Sequence, residues 1–148
     1  MSNILLIFAS MSGNTEEMAD LIGAAIKETG TSITIKEVSD CHAQELLNYD
    51  AIILGSYTWG DGDLPYEFED FYDDMEGLQL TGKKAAVFGS GDTFYPAYCN
   101  AVDLLIERLT SCGADVVTEG LKVEYAPEGE DIGRCRSFGE EFTVRVKE

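Results

Sequence analysis

The feature that most constrains the fold is a repeated alternation between apolar, β-branched segments and amphipathic or polar stretches. The apolar segments are residues 3–9, 32–38, 50–56, 83–89 and 115–123. Segments of this length and composition predict β-strands, and the stretches between them carry helical periodicity or turn residues. The alternation therefore predicts an α/β fold in which helices connect parallel strands.

Amphipathic periodicity predicts four regular helices and a short one around residues 43–47. The first has Glu16 and Glu17 in its opening turn and ends at Gly30. The apolar positions at helical spacing are Met18, Leu21, Ile22, Ala25 and Ile26; Phe68, Phe71, Tyr72 and Met75; Val102, Leu105, Ile106 and Leu109; and Ile132, Cys135, Phe138 and Phe142. The last set lies in a helix predicted from about 129 to 147.

The composition of the strands predicts their order. Residues 3–9 and 51–55 are apolar throughout, as in central strands buried on both faces, whereas residues 32–38 alternate as in an edge strand. With right-handed crossovers, this predicts a doubly wound five-stranded parallel sheet of order 2-1-3-4-5 with helices on both faces. A ligand would bind at the carboxyl ends of strands 1 and 3. The length predicts one domain spanning residues 1–148.

Three loops are expected to meet at that edge of the sheet. Their sequences are "SMSGNT" at 10–15, "SYTWGDGD" at 56–63 and "SGDTFYPAY" at 90–98. The first is a glycine-containing turn between a strand and a helix, so its N–H groups and the positive end of the helix dipole suit an anion. It contains no lysine or arginine. The alternative is an ordinary helix start capped by Ser12 or Asn14.

Aromatic residues in the other two loops predict a planar ligand. Trp59, the only tryptophan, lies among Gly60, Asp61, Gly62 and Asp63, where little core is available to it. An exposed indole favours a flat partner, although it could instead fold back over the sheet edge. With Tyr95 in the neighbouring loop, the two aromatics could enclose a planar ring.

The chain lacks the motifs of several other classes of phosphate-binding or phosphate-transferring site. The chain has neither the P-loop pattern nor the G-x-G-x-x-G dinucleotide pattern. Ser10 and Ser56 stand where a response-regulator domain would need acidic residues, and no C-x-x-x-x-x-R motif is present.

The charge balance narrows the class of partner. With 28 acidic and 10 basic residues, the formal net charge is −18. Such a surface repels nucleic acid and anionic membranes and favours basic proteins, although acidity could serve solubility alone. Four widely spaced cysteines predict reduced thiols, and the first apolar run is too short for a membrane span, so we expect a cytoplasmic protein.

Taken together, the motifs at residues 10–15, "TWGDG" at 58–62 and "GSGDTFYPAYCNAVD" at 89–103 resemble those of flavodoxins. The resemblance covers essentially the whole chain. Without a long insertion in the fifth strand region, the chain resembles the short-chain class, nearest those of sulfate-reducing bacteria. The departures are Met11 in place of a small hydroxyl residue, and Ala97 where relatives can carry an aromatic.

The resemblance implies a flavodoxin-like fold and non-covalently bound FMN, with no catalytic residue and no metal. The first loop would hold the phosphate, Trp59 and Tyr95 would cover the two faces of the isoalloxazine, and the backbone after strand 4 would meet its pyrimidine edge. The implied cofactor-binding residues are Ser10, Met11, Ser12, Gly13, Asn14, Thr15, Tyr57, Thr58, Trp59, Gly60, Asp61, Ser90, Gly91, Asp92, Tyr95, Tyr98 and Cys99. Cys99 has no basic neighbour to activate it, which favours a packing role.

The resemblance also implies a one-electron carrier rather than an enzyme. The Gly60 carbonyl would stabilise the semiquinone, while nearby carboxylates would disfavour the anionic hydroquinone and give a low potential. Partners would be redox proteins with basic surfaces, such as cytochromes and reductases, bound transiently by a monomer. The alternatives are an FMN-dependent NAD(P)H:quinone reductase and a flavin-free interaction domain.

Overall fold

The computed structural model describes residues 3–60, 62–94 and 97–147. Its strands are β1 (Asn3–Ala9), β2 (Ser32–Glu37), β3 (Ala51–Tyr57), β4 (Lys84–Gly91), β5 (Asp115–Val116) and β6 (Leu121–Glu124). Its α-helices are α1 (Asn14–Glu28), α2 (Tyr66–Asp74), α3 (Asn100–Ser111) and α4 (Glu130–Val146). Two 3₁₀ helices span Val38–Asp40 and Ala43–Asn48, the second where a short helix is predicted.

The strands form a parallel sheet in the order β2-β1-β3-β4-β5, with β6 also paired to β4. Ile4 of β1 is level with Ile33 on one side and Ala51 on the other, so β1 lies between β2 and β3. The central strands are almost fully buried, and β2 is partly exposed along its length. The predicted strand order and the edge position of the second strand are confirmed.

The fifth predicted strand is two short strands, so the prediction of one continuous segment is wrong. β5 pairs with the beginning of β4 and β6 with its end. Between them, Gly120 lies so close to α3 that a Cβ atom there would be 2.6 Å from Val102 Cγ1. Glycine weakens a strand because it lacks a side chain to pack, and here it also permits this close approach.

Two hydrophobic clusters, one on each face of the sheet, hold the carboxyl edge in place. Alternate residues of β1 point to opposite faces: Leu6 joins the cluster with α1 and α4, and Leu5 joins the cluster with α2 and α3. Helices α1 and α4 pack closely because Gly139 approaches the Ile22 carbonyl, where a Cβ atom would lie 2.8 Å from the oxygen. The loops at the strand ends are therefore supported by a packed interior.

Candidate functional site

A cleft opens at the carboxyl edge of the sheet, with a volume of about 160 Å³. Residues from the ends of β1, β3, β4 and β6 line it. The lining residues are Met11, Ser12, Asn14, Tyr57, Thr58, Gly60, Ser90, Gly91, Asp92, Ala97, Cys99 and Tyr125. The three loops that were expected to converge thus share one cavity.

The loop after β1 is organised by Ser10. Its Oγ atom accepts hydrogen bonds from the N–H groups of Gly13 (3.1 Å) and Glu16 (3.3 Å). Helix α1 begins at Asn14, and Gly13, with φ of +90°, precedes it without a side-chain cap of its own. The alternative in which Ser12 or Asn14 caps the helix is therefore wrong, because the Ser10 hydroxyl accepts the hydrogen bond from the first turn of the helix.

The same loop leaves backbone donors available to a ligand. Within the described chain, no acceptor meets the N–H groups of Ser12, Asn14 and Thr15. These groups lie at the beginning of a 15-residue helix, where the helix dipole favours negative charge. Met11 is 66% exposed beside them. The loop can therefore bind an oxyanion through its backbone, without a basic side chain.

Thr15 connects the first loop to the third. Its Oγ1 atom lies 2.7 Å from Ser90 Oγ, and both side chains are buried. The buried Ser56 makes a different bond, from its hydroxyl to the Tyr57 carbonyl (2.8 Å). The Thr15 hydroxyl, which was expected at a phosphate, thus already has a partner inside the protein.

The loop after β3 is a tight turn that carries Trp59 at the surface. Trp59 and Asp63 exchange backbone hydrogen bonds of 2.8 and 2.9 Å. The Trp59 side chain is 54% exposed, so the indole has not folded into the core. Gly60 has φ of +55° and open space where a Cβ atom would lie, so the constraint on this residue is its backbone conformation. Asp61 lies outside the described residues.

This second loop is attached to helix α3. Thr58 Oγ1 accepts a hydrogen bond from the Ala101 N–H (3.0 Å), and Asn100 Nδ2 donates to the Gly62 carbonyl (2.7 Å). Sequence reasoning missed Asn100, since a surface asparagine at a helix start carries no distinguishing signal. The two bonds fix the second and third loops relative to each other.

The loop after β4 is held at its beginning by two carboxylates. Asp92 Oδ1 accepts from the Phe94 N–H (2.8 Å), and the Glu124 carboxylate accepts from both the N–H (3.1 Å) and the hydroxyl of Thr93. Tyr98 is partly buried, which raises its pKa. Tyr95, the expected second stacking residue, lies outside the described residues, as does position 96.

Cys99 is a packing residue at the back of the cleft. Burial raises the pKa of its thiol, which therefore stays protonated at neutral pH. Its Sγ atom lies close to Gly91, where a Cβ atom would be 2.7 Å away. These contacts agree with the predicted packing role.

Tyr57 connects the cleft to helix α2. Its hydroxyl donates a hydrogen bond to the Glu67 carboxylate, and burial together with that carboxylate raises its pKa. The acidic residues exposed on this helix are Glu67, Glu69, Asp70, Asp73 and Asp74. None of them makes an ion pair within the described chain. Residues 37–82 contain no lysine or arginine, and the Arg108 guanidinium lies over the Tyr72 ring of this helix, 4.1 Å from its centroid. Helix α2 is therefore rich in carboxylates that make no ion pair with the residues described.

Tyr125 is a lining residue that sequence reasoning missed. It directly follows β6, its N–H donates to the Gly91 carbonyl (2.9 Å), and its φ is +58°. The turn after residues 115–123 was not among the three loops expected at this edge of the sheet, so Tyr125 was not predicted. Of the predicted residues, Ser10, Gly13, Thr15, Trp59 and Tyr98 lie on the same three loops without lining the cavity itself.

Outside the cleft, the other functional features to consider are metal sites, reactive cysteines, membrane-spanning helices and a catalytic histidine. No group of three or more histidine, cysteine or acidic side chains in the described residues is arranged to hold a metal ion. The described cysteines, Cys41, Cys99, Cys112 and Cys135, are free and buried. None of the helices described has both the length and the apolar character needed to cross a bilayer. His42 is exposed at the start of a 3₁₀ helix and does not line the cleft.

Comparison with known proteins gives concordant results. The flavodoxin family model matches residues 6–139. Probable flavodoxin 1 of Bacillus subtilis is 48% identical over 143 residues, which cover 96% of this chain and 90% of that protein. The crystal structure of oxidised flavodoxin 1 from Bacillus cereus is similar with a TM-score of 0.95 at 59% identity, covering 97% of this chain and 98% of the other.

The flavodoxin of the sulfate reducer Nitratidesulfovibrio vulgaris is 37% identical over 131 residues, 86% of this chain and 88% of that protein. This is well below the identity to the Bacillus proteins. The expectation that the nearest relatives come from sulfate-reducing bacteria is therefore not confirmed.

Proposed function

Because the chain belongs to the flavodoxin family, we propose that it is a low-potential carrier that shuttles single electrons between redox proteins, mainly between the semiquinone and hydroquinone states of FMN. As a flavodoxin, it is an FMN-binding electron-transfer protein and not an enzyme. The low-potential carrier proposal rests on the composition of the cleft. An anion-binding loop without basic side chains lies there with an exposed indole and an acidic helix nearby.

The first loop fits the phosphate end of FMN. The N–H groups of Ser12, Asn14 and Thr15 lack acceptors in the described chain and lie at a helix N-terminus, which suits a phosphate monoester. We assign the phosphate to these donors together with the Ser12 and Asn14 side chains and the backbone of Met11 and Gly13. Ser10 and Thr15 support the loop through their own hydrogen bonds.

The other two loops fit the ring system. Trp59 offers an exposed aromatic face, and we assign Tyr95 to the opposite face. The backbone from Tyr57 to Asp61 would border one side of the ring, and Ser90 to Asp92, with Tyr98 and Cys99 behind them, the other. The Gly60 carbonyl would accept a hydrogen bond from the N–H group that one-electron reduction would create on the flavin, since glycine tolerates the backbone rotation.

The electrostatics favour a low potential for the second electron. FMN supplies the redox chemistry, and the surrounding protein sets how easily negative charge accumulates on it. Helix α2 places unpaired carboxylates next to the cleft, and aromatic covering limits solvation of an anion. Both effects raise the free energy of the fully reduced anionic state.

Partners would approach this acidic side. We propose transient complexes between a monomer and basic-surfaced redox proteins, such as cytochromes and reductases, in the cytoplasm, where the four buried thiols stay reduced. Residues 1–148 would form one domain. A net charge of −18 makes contact with nucleic acid or anionic membranes unfavourable.

The carrier proposal is tested by recording visible spectra of the FMN-loaded protein during stepwise anaerobic reduction. A long-wavelength neutral radical should accumulate and then bleach at a much lower potential. Direct conversion to fully reduced flavin, with turnover of NADPH and a quinone, would instead favour the reductase alternative. A protein that fails to hold FMN would leave only an interaction domain.

The docking proposal is tested by neutralising two adjacent acids on α2. Asp73→Asn with Asp74→Asn should slow electron transfer to a basic cytochrome at low ionic strength and flatten its salt dependence. The matched control is Glu140→Gln with Glu141→Gln, which removes the same charge from exposed positions on α4. Equal effects of the two pairs would show that net charge, rather than a docking surface, controls the rate.

A further inference from the structure

Two residues other than glycine adopt left-handed backbone conformations within the described chain. They are Cys99, with φ of +51°, and Tyr125, with φ of +58°. Both line the cleft. This conformation is unfavourable for residues with a side chain, and where it persists it tends to mark ligand sites.

Topology places Tyr125 across the cleft from the loop that carries Trp59. β4 pairs with β3 on one side and with β6 on the other, so the residues after β3 and after β6 flank the end of β4. Tyr57, Thr58 and Gly60 line one flank, and Tyr125 lines the other. Its side chain is 55% exposed, so it has not been absorbed into the core.

The backbone of Tyr125 is fixed to the third loop. Its N–H donates to the Gly91 carbonyl (2.9 Å), and the preceding Glu124 binds Thr93 through its carboxylate. Gly91 is the last residue of β4 and lines the cleft, together with Ser90 and Asp92. A movement of Tyr125 would therefore require the third loop to move with it.

A turn alone does not explain a tyrosine at this position. Glycine and asparagine adopt positive φ more readily, and either would preserve the backbone hydrogen bond to Gly91. The tyrosine adopts this conformation against its preference at a position that lines the cavity. A side chain here is therefore placed to affect the cleft as well as the turn.

We propose that Tyr125 is an additional cofactor-binding residue, whose ring forms a fourth wall of the cleft and contacts bound FMN. The proposal rests on the FMN-carrier function above and adds β6 to the three loops that hold the cofactor. The contact would use the apolar face of the ring, so the hydroxyl is dispensable.

The test measures FMN binding by fluorescence quenching and the thermal unfolding of the apoprotein for Tyr125→Gly, Tyr125→Asn and Tyr125→Phe. The first two should weaken FMN binding about tenfold, as expected for the loss of one aromatic contact. Their apoproteins should still unfold cooperatively, since both residues tolerate positive φ, so that a loss of FMN binding is distinguished from a loss of the fold. Tyr125→Phe should bind FMN as the parent does.

A matched control is Tyr66→Ala. Tyr66 is 87% exposed at the start of α2 and does not line the cleft, so its loss should leave FMN binding unchanged. If Tyr125→Gly and Tyr125→Asn bind FMN as tightly as the parent, Tyr125 is only a turn residue and the proposal is wrong. If the parent itself does not bind FMN, the failure lies in the proposed function instead.

Discussion

The hydrogen bond between Thr15 and Ser90 gives a sharp test of how the cleft is built. The two hydroxyl oxygens are 2.7 Å apart, and their residues are 1% and 3% exposed. Thr15→Val keeps the shape of the side chain but removes its hydroxyl, which leaves Ser90 Oγ buried without this partner. Ser90→Ala does the reverse.

The size of the effect follows from this burial. An unsatisfied buried hydroxyl costs about 1–3 kcal/mol, so each single variant should lose that much free energy of unfolding as the apoprotein. For a chain of this length, the midpoint of thermal unfolding should fall by about 2–12 °C. Because the double variant removes both polar groups, its loss should be about 1 kcal/mol smaller than the sum of the single losses.

The assay is urea unfolding of the parent, the two single variants and the double variant, each with and without FMN. In the apoprotein, the coupling free energy reports the bond between the two hydroxyls. If bound phosphate recruits the Thr15 hydroxyl, the coupling should shrink in the FMN-loaded proteins. Strictly additive losses in the apoprotein would refute the reasoning, since they would show that the two hydroxyls do not depend on each other.

Four further substitutions test other parts of the structure. Gly60→Ala should lower the free energy of unfolding by about 1–2 kcal/mol because of its positive φ alone. Gly62→Ala should lower it further, because the added Cβ would lie 2.7 Å from Ala97 Cβ. Urea unfolding midpoints would measure both losses. Glu45 has a pKa lowered from 4.5 to about 2, chiefly by its hydrogen bond with Lys36. It stabilises the fold above pH 4.5 and loses that contribution as the pH falls towards 2, so Glu45→Gln should flatten the acid limb of a stability-against-pH curve. Asn100→Ala removes the bond to the Gly62 carbonyl and should lower stability by about 1 kcal/mol and change the fluorescence of the neighbouring tryptophan loop.

Patterns spread over many residues allowed the sheet to be predicted from sequence. The uniform apolar character of residues 3–9 and 51–55 reflects burial on both faces, and the alternation in residues 32–38 reflects an edge. The strand order in turn determines which loops meet at the carboxyl edge of the sheet. These features depend on periodicity and composition, which a single sequence contains.

The features that sequence reasoning missed depend on single contacts between distant segments. The break at Gly120 arises from its approach to α3. Asn100 holds the second loop by donating to the Gly62 carbonyl, 38 residues away in the chain. Tyr125 enters the cleft only because β6 pairs with the end of β4. No local pattern encodes such contacts, so they became visible only in three dimensions.

Positions 37–82 contain no lysine or arginine, and this charge distribution affects how the molecule orients as a charged partner approaches. Helix α2 lies in that stretch, whereas Lys122, Arg134 and Arg136 form ion pairs with residues outside it. Charge of one sign concentrated on one side turns the protein in the electric field of an approaching basic molecule. Under the docking proposal, tumbling would be biased so that α2 faces a basic partner, and the fraction of collisions that arrive in a useful orientation would rise before any atoms touch.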